Sequence, residues 1–525
     1  EASFLEAVAT SADFTQVRAT KADFGKAQLT DAKLSFAKLA EASFLEAVAT
    51  SADFSNAPAS KANFGKSELS DAKFSGAMLT GASFIGAVAP RADFSTTQMA
   101  SAKLHGAMLA GACFTAAVAS KVDFSNAELS DAKFSGANLA EAVFLEAAAP
   151  SADFSKVQMP SAKLCGATLT ATCFAGAMAP KADFSKAQLS DAKLGGAKLM
   201  DASFAEALAR NADFTMSDLS GAVFQGTDLR GANLSGAILE GTRFVSALNI
   251  SSATLGNNLG GAILDRLHLG GVDLCGKDLR RASLAGVNLS GMDLSGANLS
   301  GAILTGTKFL GALNLHLTTF DSLRGAILDG VDMAGIDLRG KDLRGASLSG
   351  TKLAGALNLR YSDFDNLRGA ILDGVDLTGL DLRRTDLSGT KFAGALNLRV
   401  AILDNLRGVD LADVDLNGLD LSNTDLCGAK FAGVRFDAPI PAAFANCASF
   451  PSGSDAVVGP GSIVHIAGGR RTGFIVRVSG NHPDIANHPN SAYYKSHDHP
   501  WDSDRLEGHW DHNDYVVRVL AKPNL

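Results

Sequence analysis

The chain has 525 residues and a formal net charge of -8, and 46% of its residues are hydrophobic whereas 7% are aromatic and 19% charged. This apolar share is ample for a folded core and excludes an intrinsically disordered protein. The mild acidity argues against a protein that coats nucleic acid, so no nucleic-acid partner is expected.

The sequence shows no targeting or membrane-spanning segment. It opens at Glu1 in the middle of a repeating pattern, without an initiator methionine, so we expect a processed or truncated product from which any targeting peptide has been removed. No run of about 18 apolar residues occurs, which excludes a membrane-spanning helix and leaves peripheral membrane association open. The six cysteines form no CxxC pair and signal neither a zinc site nor a disulfide framework.

A five-residue period governs the chain from its beginning. Every fifth position from Phe4 to Phe244 is an apolar centre. Most centres are Phe or Leu and the others are Ala or Met, and the residue two positions before each centre is usually alanine. A period of five fits neither the helix nor the flat strand, so the chain must turn a corner every five residues. Four such sides close a square coil of about twenty residues, with the Phe or Leu pointing inward.

The repeated unit, plainest as GANLS at 231–235, resembles the pentapeptide repeat family, whose motif is A(D/N)LXX. The resemblance covers residues 1–436 and implies a right-handed square β-helix, which is an all-β solenoid. Residues 1–10 recur identically at 41–50, which is consistent with extension by duplication, since each coil of a solenoid contacts only its neighbours.

Stacking the sequence in twenties predicts one outward column of alternating charge, formed by Asp13, Lys33, Asp53, Lys73, Asp93, Cys113, Lys133, Asp153, Cys173, Lys193 and Asp213. Opposite charges on adjacent strands contribute about 0.2–1 kcal/mol per pair. We interpret the column as a device that sets the register of the coils. Cys113 and Cys173 would lie three coils apart, roughly 14 Å, which is too far for a disulfide and predicts free thiols.

The rhythm is interrupted four times after Phe244, each time around the phrase ALN, near 246–258, 310–322, 354–366 and 393–405. In the last three interruptions the in-register centres are fourteen residues apart instead of fifteen, so the frame slips by one residue. We predict a distorted side or a bulging corner at each. Two interpretations stay open: inherited duplication seams, or protrusions gripped by a partner through His316, Arg360, Tyr361 and Arg399.

The repeat stops after Phe436. Residues 437–456 contain prolines and a Gly-Ser pair and predict a cap and linker that covers the open end of the solenoid. Residues 457–525 form a separate small domain, in which 461–466 and 472–478 predict a β-hairpin and 515–520 predicts a further strand. This order resembles a small SH3-like or KOW-type barrel, with a long His-rich insertion between its strands.

The C-terminal domain carries the candidate binding residues. Imidazoles are ligands that zinc accepts, and the candidates are His497, His499, His509 and His512, although a His-rich polar loop is more often a solvated turn. We therefore expect neither a metal nor a cofactor. Aromatic and arginine side chains are favoured at interaction hot spots, which predicts partner contacts through Tyr493, Tyr494, Trp501, Trp510, Arg470 and Arg471.

The repeats show no catalytic grouping, because histidine is nearly absent before residue 465 and no phosphate-binding loop occurs. We therefore expect no enzymatic activity. The sequence favours a structural scaffold or spacer that mediates protein–protein contacts within a larger assembly, with an organellar, plastid complex as one setting. The alternative is a DNA-mimicking topoisomerase-binding protein, which the alternating charges of the predicted column disfavour.

Overall fold

The computed structural model describes residues 2–398, 401, 403, 405–411, 414, 424 and 429, together with the backbone of five later strands. Contacts between Cα atoms divide the chain into two compact units, Glu1–Val287 and Asn288–Leu525. Regular elements in the first unit are short: a 3-10 helix at Ile250–Ser252 and two strands that pair in parallel, β1 (Asn233–Leu234) and β2 (Thr254–Leu255).

The first unit is a square β-helix, as the five-residue period predicts. Parallel bridges join residues twenty positions apart, and the four sides of one coil are represented by the bridges Ser3↔Asp23, Val8↔Gln28, Asp13↔Lys33 and Arg18↔Lys38. Each side is anchored by hydrogen bonds to the next coil, for example from the N–H of Phe24 to the carbonyl of Ser43 at 2.7 Å. One bridged residue per side suffices, because the backbone turns again before a longer strand can form.

Two columns of phenylalanine rings fill the core of the first unit. Rings twenty residues apart are stacked, as in Phe44–Phe64 with centroids 4.7 Å apart, and rings ten apart meet edge to face, as in Phe54–Phe64 at 5.3 Å. Both geometries are favourable for aromatic pairs, by about 0.5–1.5 kcal/mol beyond burial. The other two sides carry smaller centres such as Ala49 and Leu69, both fully buried, because the opposed rings already fill most of the interior.

The corners of the regular coils place a residue in the left-handed backbone region. Lys21, Lys26 and Asp31 have φ of 57°, 52° and 56°, and glycine takes the same position further along, as at Gly76 with φ 70°. Non-glycine residues adopt this conformation at a cost of about 1–2 kcal/mol, so each such corner must be held by its neighbours. Long charged side chains at these corners form ion pairs between adjacent coils, namely Glu6–Lys26, Lys21–Glu41, Asp71–Arg91, Lys121–Glu141 and Lys186–Glu206.

The predicted charge column is confirmed in position but not in role. Consecutive members from Asp13 to Asp213 are bridged, yet no ion pair joins neighbours within this described column. The carboxylates of Asp13 and Asp53 instead accept the backbone N–H two residues on, from Thr15 and Ser55, each at 2.9 Å. The hydrogen bonds from Thr15 are the largest causes that hold the pKa of Asp13 below its usual range, and the nearby Lys33 adds least.

The aspartates of the column therefore fasten their own corners instead of linking coils. An Asp side chain commonly bonds the backbone two residues on in this manner, as in an Asx turn. The thiols of Cys113 and Cys173 are free, as predicted, and three bridges separate them along the column.

The second unit combines square coils with a mixed sheet. Its coils are bridged in the same way, as in Asp332↔Lys352, and contain 3-10 helices at Leu315–Leu317 and Leu359–Tyr361. Five strands form the sheet, namely β3 Val434–Phe436, β4 Asp455–Val458, β5 Ile475–Ser479, β6 Leu506–Asp511 and β7 Asp514–Val519. Their order across the sheet is β3-β4-β5-β7-β6.

Of the predicted hairpin between 461–466 and 472–478, only 475–478 is described, as part of β5, and the rest lies outside the described residues. Strand β5 pairs in parallel with β4 on one edge and antiparallel with β7 on the other. The predicted last strand matches β7, but parallel pairing between β3, β4 and β5 gives the SH3-like resemblance no support.

A matched pair of substitutions separates capping from charge pairing at Asp53. Asp53→Ala removes the acceptor for the Ser55 N–H and should destabilise the local coil by about 1 kcal/mol, whereas Asp53→Asn keeps an acceptor oxygen and should cost much less. Hydrogen exchange of the amides around Ser55 is the measurement, since it reports local opening. Equally faster exchange in both variants would contradict the capping role and would indicate that the negative charge of Asp53 in the column is what matters.

Candidate interaction surface

The four interruptions of the repeat share one local structure. Each ALN phrase ends in an asparagine in the left-handed region, with φ of 56°, 56°, 58° and 59° at Asn249, Asn314, Asn358 and Asn397. Asparagine is among the few non-glycine residues that reach this region readily. In the first three interruptions a 3-10 helix begins at the next residue, Ile250, Leu315 or Leu359, and this residue is buried.

The asparagine side chain ties each interruption to the preceding coil. Its Nδ2 donates to an aspartate carboxylate 21 positions earlier at 2.7–3.0 Å, in the pairs Asn249–Asp228, Asn314–Asp293, Asn358–Asp337 and Asn397–Asp376. The hydrogen bond from Asn397 is the largest cause that holds the pKa of Asp376 below its usual range. We call this recurring pair the Asn–Asp clamp.

The clamp at Asp228 is the most enclosed of the four, with a side chain only 6% exposed. Burial opposes its ionisation, but hydrogen bonds from Asn249 and Arg210, at 2.7 Å each, outweigh burial and keep the pKa of Asp228 below its usual range. A buried carboxylate is tolerated only when it is paired and hydrogen-bonded in this way. The clamp is therefore a fixed structural feature of the first interruption.

The second interruption shows how the frame slips. Asn298 bridges Thr319, 21 positions on, whereas Lys308 bridges Ile327, 19 positions on. The side that ends at Thr319 thus holds one extra residue. The stretch from Thr319 to Ile327 is then two residues shorter than its counterpart from Asn298 to Lys308, and the net change is the loss of one residue that the sequence count indicates. The third interruption repeats this arrangement, with Asp342↔Asp363 followed by Lys352↔Ile371.

A lysine in an inward position donates to backbone carbonyls within each of the first two interruptions. The Nζ of Lys277, which is 8% exposed, donates to the carbonyls of Leu255 and Gly256 at 3.2 and 3.3 Å. In the coil after the second interruption the Nζ of Lys341 donates to the carbonyl of Phe320 and lies 5.2 Å from the centroid of its ring. Both lysines occupy the inward position that alanine holds elsewhere, so they act as internal donors.

Thr385 holds the equivalent inward position after the third interruption and cannot reach as far. Its hydroxyl is buried and has no hydrogen-bond partner in the described part of the chain. Other inward threonines donate to a carbonyl of the preceding coil, as Thr351 does to Leu328 at 2.7 Å and Thr390 to Leu367 at 2.8 Å. Thr385 is thus a weak point in a structure that otherwise satisfies its inward polar groups.

The interruptions also place apolar and aromatic side chains in the open. The leucine before each clamp asparagine is 51–57% exposed, at Leu248, Leu313, Leu357 and Leu396. Tyr361 is 47% exposed, and the guanidinium groups of Arg360 and Arg339 lie 4.6 and 5.2 Å from the centroid of its ring. Exposed aromatic and arginine side chains on a fixed backbone have the chemistry of interaction hot spots.

The predicted grip residues are placed as follows. His316, Arg360 and Tyr361 lie on 3-10 helices and are exposed, whereas Arg399 lies outside the described residues. Sequence reasoning missed the four exposed leucines, because Leu in an apolar phrase suggests an inward residue. The five-residue frame contained the signal, since each of these leucines falls one position before the expected centre.

The family is settled by the repeat itself. The family model of pentapeptide repeats, in eight copies, matches in overlapping stretches at residues 27–65, 67–106, 79–115, 97–136, 109–144, 132–170, 169–204, 182–226, 210–245, 262–301, 282–312, 326–365, 366–396 and 405–438. The chain belongs to the pentapeptide repeat family. Members of this family are typically non-catalytic structural proteins that mediate protein interactions.

Several solved structures are similar to this pentapeptide repeat protein. HetL, involved in heterocyst differentiation regulation in Nostoc sp. strain PCC 7120, is 24% identical over 46% of this chain and 90% of its own, with a TM-score of 0.17. A protein of the Arabidopsis thaliana thylakoid lumen is 29% identical over 17% of this chain and 65% of its own, with a TM-score of 0.14. The plasmid-mediated fluoroquinolone resistance protein QnrB1 is 17% identical over 45% and 89%, also with a TM-score of 0.14. No curated protein matches the chain.

The described part of this pentapeptide repeat protein contains no cluster of three or more His, Cys, Asp or Glu residues able to hold a metal ion. Among the same residues no helix has the length and hydrophobicity to span a bilayer. The C-terminal candidate residues predicted from the sequence have no described side chains. His509 and Trp510 lie in β6, of which only the backbone is described, and the others lie outside the described residues, namely Tyr493, Tyr494, Trp501, Arg470, Arg471, His497, His499 and His512.

Substitutions at the two equivalent inward positions should have opposite effects. Lys341→Met leaves the carbonyl of Phe320 buried without its donor and should reduce the free energy of unfolding by about 1–3 kcal/mol. Thr385→Val removes a hydroxyl that has no partner and should be neutral or stabilise by about 1 kcal/mol. Urea unfolding followed by far-ultraviolet circular dichroism measures both. A loss of stability in Thr385→Val as large as in Lys341→Met would refute the assignment of the lysines as internal donors.

Proposed function

We propose that this pentapeptide repeat protein is a non-catalytic scaffold or spacer that mediates protein–protein contacts within a larger assembly. The observation that carries the proposal is the recurrence of exposed leucine on a backbone fixed by an Asn–Asp clamp. A fixed backbone that presents apolar and aromatic side chains loses little conformational entropy on binding. Four such sites along the repeat region would provide several attachment points for partners.

The charge distribution supports the scaffold over the alternative, a DNA mimic that binds a topoisomerase. A mimic of duplex DNA needs rows of uncompensated negative charge. At the corners of the first unit, acidic and basic side chains instead alternate between coils and pair, as in Lys121–Glu141 at 3.7 Å and Asp71–Arg91 at 2.7 Å. Such pairs neutralise the surface locally, although each contributes little to stability.

The C-terminal aromatic and arginine residues predicted from the sequence remain part of the proposal as a second contact region: Tyr493, Tyr494, Trp501, Trp510, Arg470 and Arg471. We keep them because both tryptophans and three of the four tyrosines of the chain lie after residue 456. An organellar, plastid assembly is the setting we propose, and fractionation of the native source tests it.

Variants of the full chain test where a partner binds. Affinity capture from the native source should recover a stoichiometric partner with the unmodified chain. Tyr361→Ala combined with Leu357→Ala should reduce recovery at least tenfold, because both exposed side chains of the third interruption are lost. Met216→Ala is the matched control, since Met216 is 71% exposed but lies outside the interruptions, and should not reduce recovery.

The same experiment separates the contact regions and the two functions. Loss of the partner in a Tyr493→Ala, Tyr494→Ala and Trp501→Ala variant, with full recovery in the Tyr361 variant, would move the contact to the C-terminal region. Recovery of a topoisomerase, together with inhibition of its supercoiling activity by the purified chain, would establish the alternative. Failure to recover any stoichiometric partner would contradict the scaffold.

A further inference from the structure

A strip of apolar side chains runs along one corner of the first unit and includes no residue of the interruptions. Leu5, Leu45 and Ile85 occupy the same corner in every second coil and are 55%, 41% and 43% exposed. The adjacent side carries Val8, which is 81% exposed, and Val48 in the same relation to Leu45. Stacking of this corner is fixed by hydrogen bonds between coils, such as that from the N–H of Lys26 to the carbonyl of Leu45 at 2.8 Å.

Glycine in the intervening coils makes the strip continuous. A Cβ atom at Gly25 would lie 3.1 Å from Cδ1 of Leu5, and one at Gly65 would lie 3.3 Å from Cδ1 of Leu45, so each leucine leans over the glycine of the next coil. Neither glycine has a positive φ. Their backbone conformation therefore does not require glycine. A Cβ atom at either position would meet the leucine Cδ1 and, at 3.0 Å, an oxygen of Asp23 or Asn63, so glycine leaves the leucine room to lie over the next coil.

Charge alternates along the strip with the same two-coil period. The residues after Leu5, Gly25, Leu45 and Gly65 are Glu6, Lys26, Glu46 and Lys66, whereas Ile85 is followed by Gly86. Over the first four coils, therefore, the leucine coils carry glutamate and the glycine coils carry lysine. Within the chain Glu6 and Lys26 approach only to 4.0 Å, and their side chains are 69% and 57% exposed. Exposed pairs of this kind are weak, so these charges remain available to a partner.

We propose that the strip from Leu5 to Ile85 is a self-association surface, on which a second copy of this chain lies antiparallel. A twofold axis across the strip places each column of residues against the same column of the other copy, as in an isologous interface. The copies are displaced so that leucine coils face glycine coils. Each glutamate of one copy then faces a lysine of the other, on both sides of the twofold axis.

The alternating charges select both the partner and the register. A displacement by one further coil would place glutamate against glutamate and leucine against leucine. Like charges would then repel, and the protruding leucines would no longer fit over glycine. A partner must present apolar groups and opposite charges every two coils, roughly 9.6 Å apart. The chain itself presents that pattern, because residues 1–10 recur identically at 41–50.

The size of the strip predicts a weak, concentration-dependent dimer. Five coils span only roughly 20 Å, which is short compared with interfaces that bury about 800 Å² per partner. Beyond Ile85 the same corner carries His105 and Ser125 before Leu145, so the apolar strip ends at Ile85. We therefore expect dimerisation in the micromolar range and not a permanent dimer.

Sedimentation velocity of the full chain between about 1 and 100 µM tests the surface, a range chosen for interfaces of this size. The unmodified chain should shift from monomer to dimer, and Leu45→Glu should remain a monomer because a charge would be buried in the strip. Met216→Glu is the matched control at an exposed apolar residue away from the strip and should dimerise normally. A chain that stays monomeric throughout, or a dimer that survives Leu45→Glu, would overturn the proposal.

Charge exchange tests the register independently. Lys26→Glu with Lys66→Glu gives an all-acidic row, and Glu6→Lys with Glu46→Lys gives an all-basic row, so each double variant alone should remain monomeric. An equimolar mixture should restore dimers that contain one copy of each. Circular dichroism confirms that both variants are folded, and a mixture that remains monomeric would show that the proposed register is wrong.

Discussion

The structure depends on one constraint, which is that the backbone must turn a corner every five residues through a residue in the left-handed region. Sides this short cannot form long strands, so cohesion comes from hydrogen bonds between coils and from stacked side chains inside. The phenylalanine columns of the first unit and the glycines at later corners are two responses to the same constraint. Where a corner residue is not glycine, as at Lys21 with φ 57°, it retains a side chain that can pair with the next coil.

Because only the inward positions are strictly defined, the outward positions can carry other functions. Aspartate at the outward position of Asp53 fastens its own corner, whereas leucine at the equivalent position of Leu357 is exposed beside a 3-10 helix. The interruptions therefore have a defined and recurring local structure. Each has a left-handed asparagine and a carboxylate that binds it, and in the first two an inward lysine also donates to backbone carbonyls of the interruption.

The five-residue period was enough to predict the square coil, its columns and the frame slips, because the inward positions accept few residue types. It did not reveal the capping role of Asp13, which depends on the direction of the N–H of Thr15 and not on spacing. Lys277 and Lys341 could have been recognised, since a lysine in the alanine position must point inward. The parallel pairing of β5 with β4 was not predicted, because no local turn signals it. The exposed leucines were missed because their side depends on the exact frame.

The most direct measurement of the corner constraint compares the same substitution at two serines of one face. Ser51 is a corner residue with φ 56°, whereas Ser55 has no positive φ. Ser51→Gly should raise the free energy of unfolding by roughly 0.5–1 kcal/mol because it relieves the left-handed conformation, and Ser55→Gly should lower it by about 0.5–1 kcal/mol through the entropy of the unfolded chain. Chemical unfolding of both variants gives the comparison, and shifts in the same direction would contradict the account.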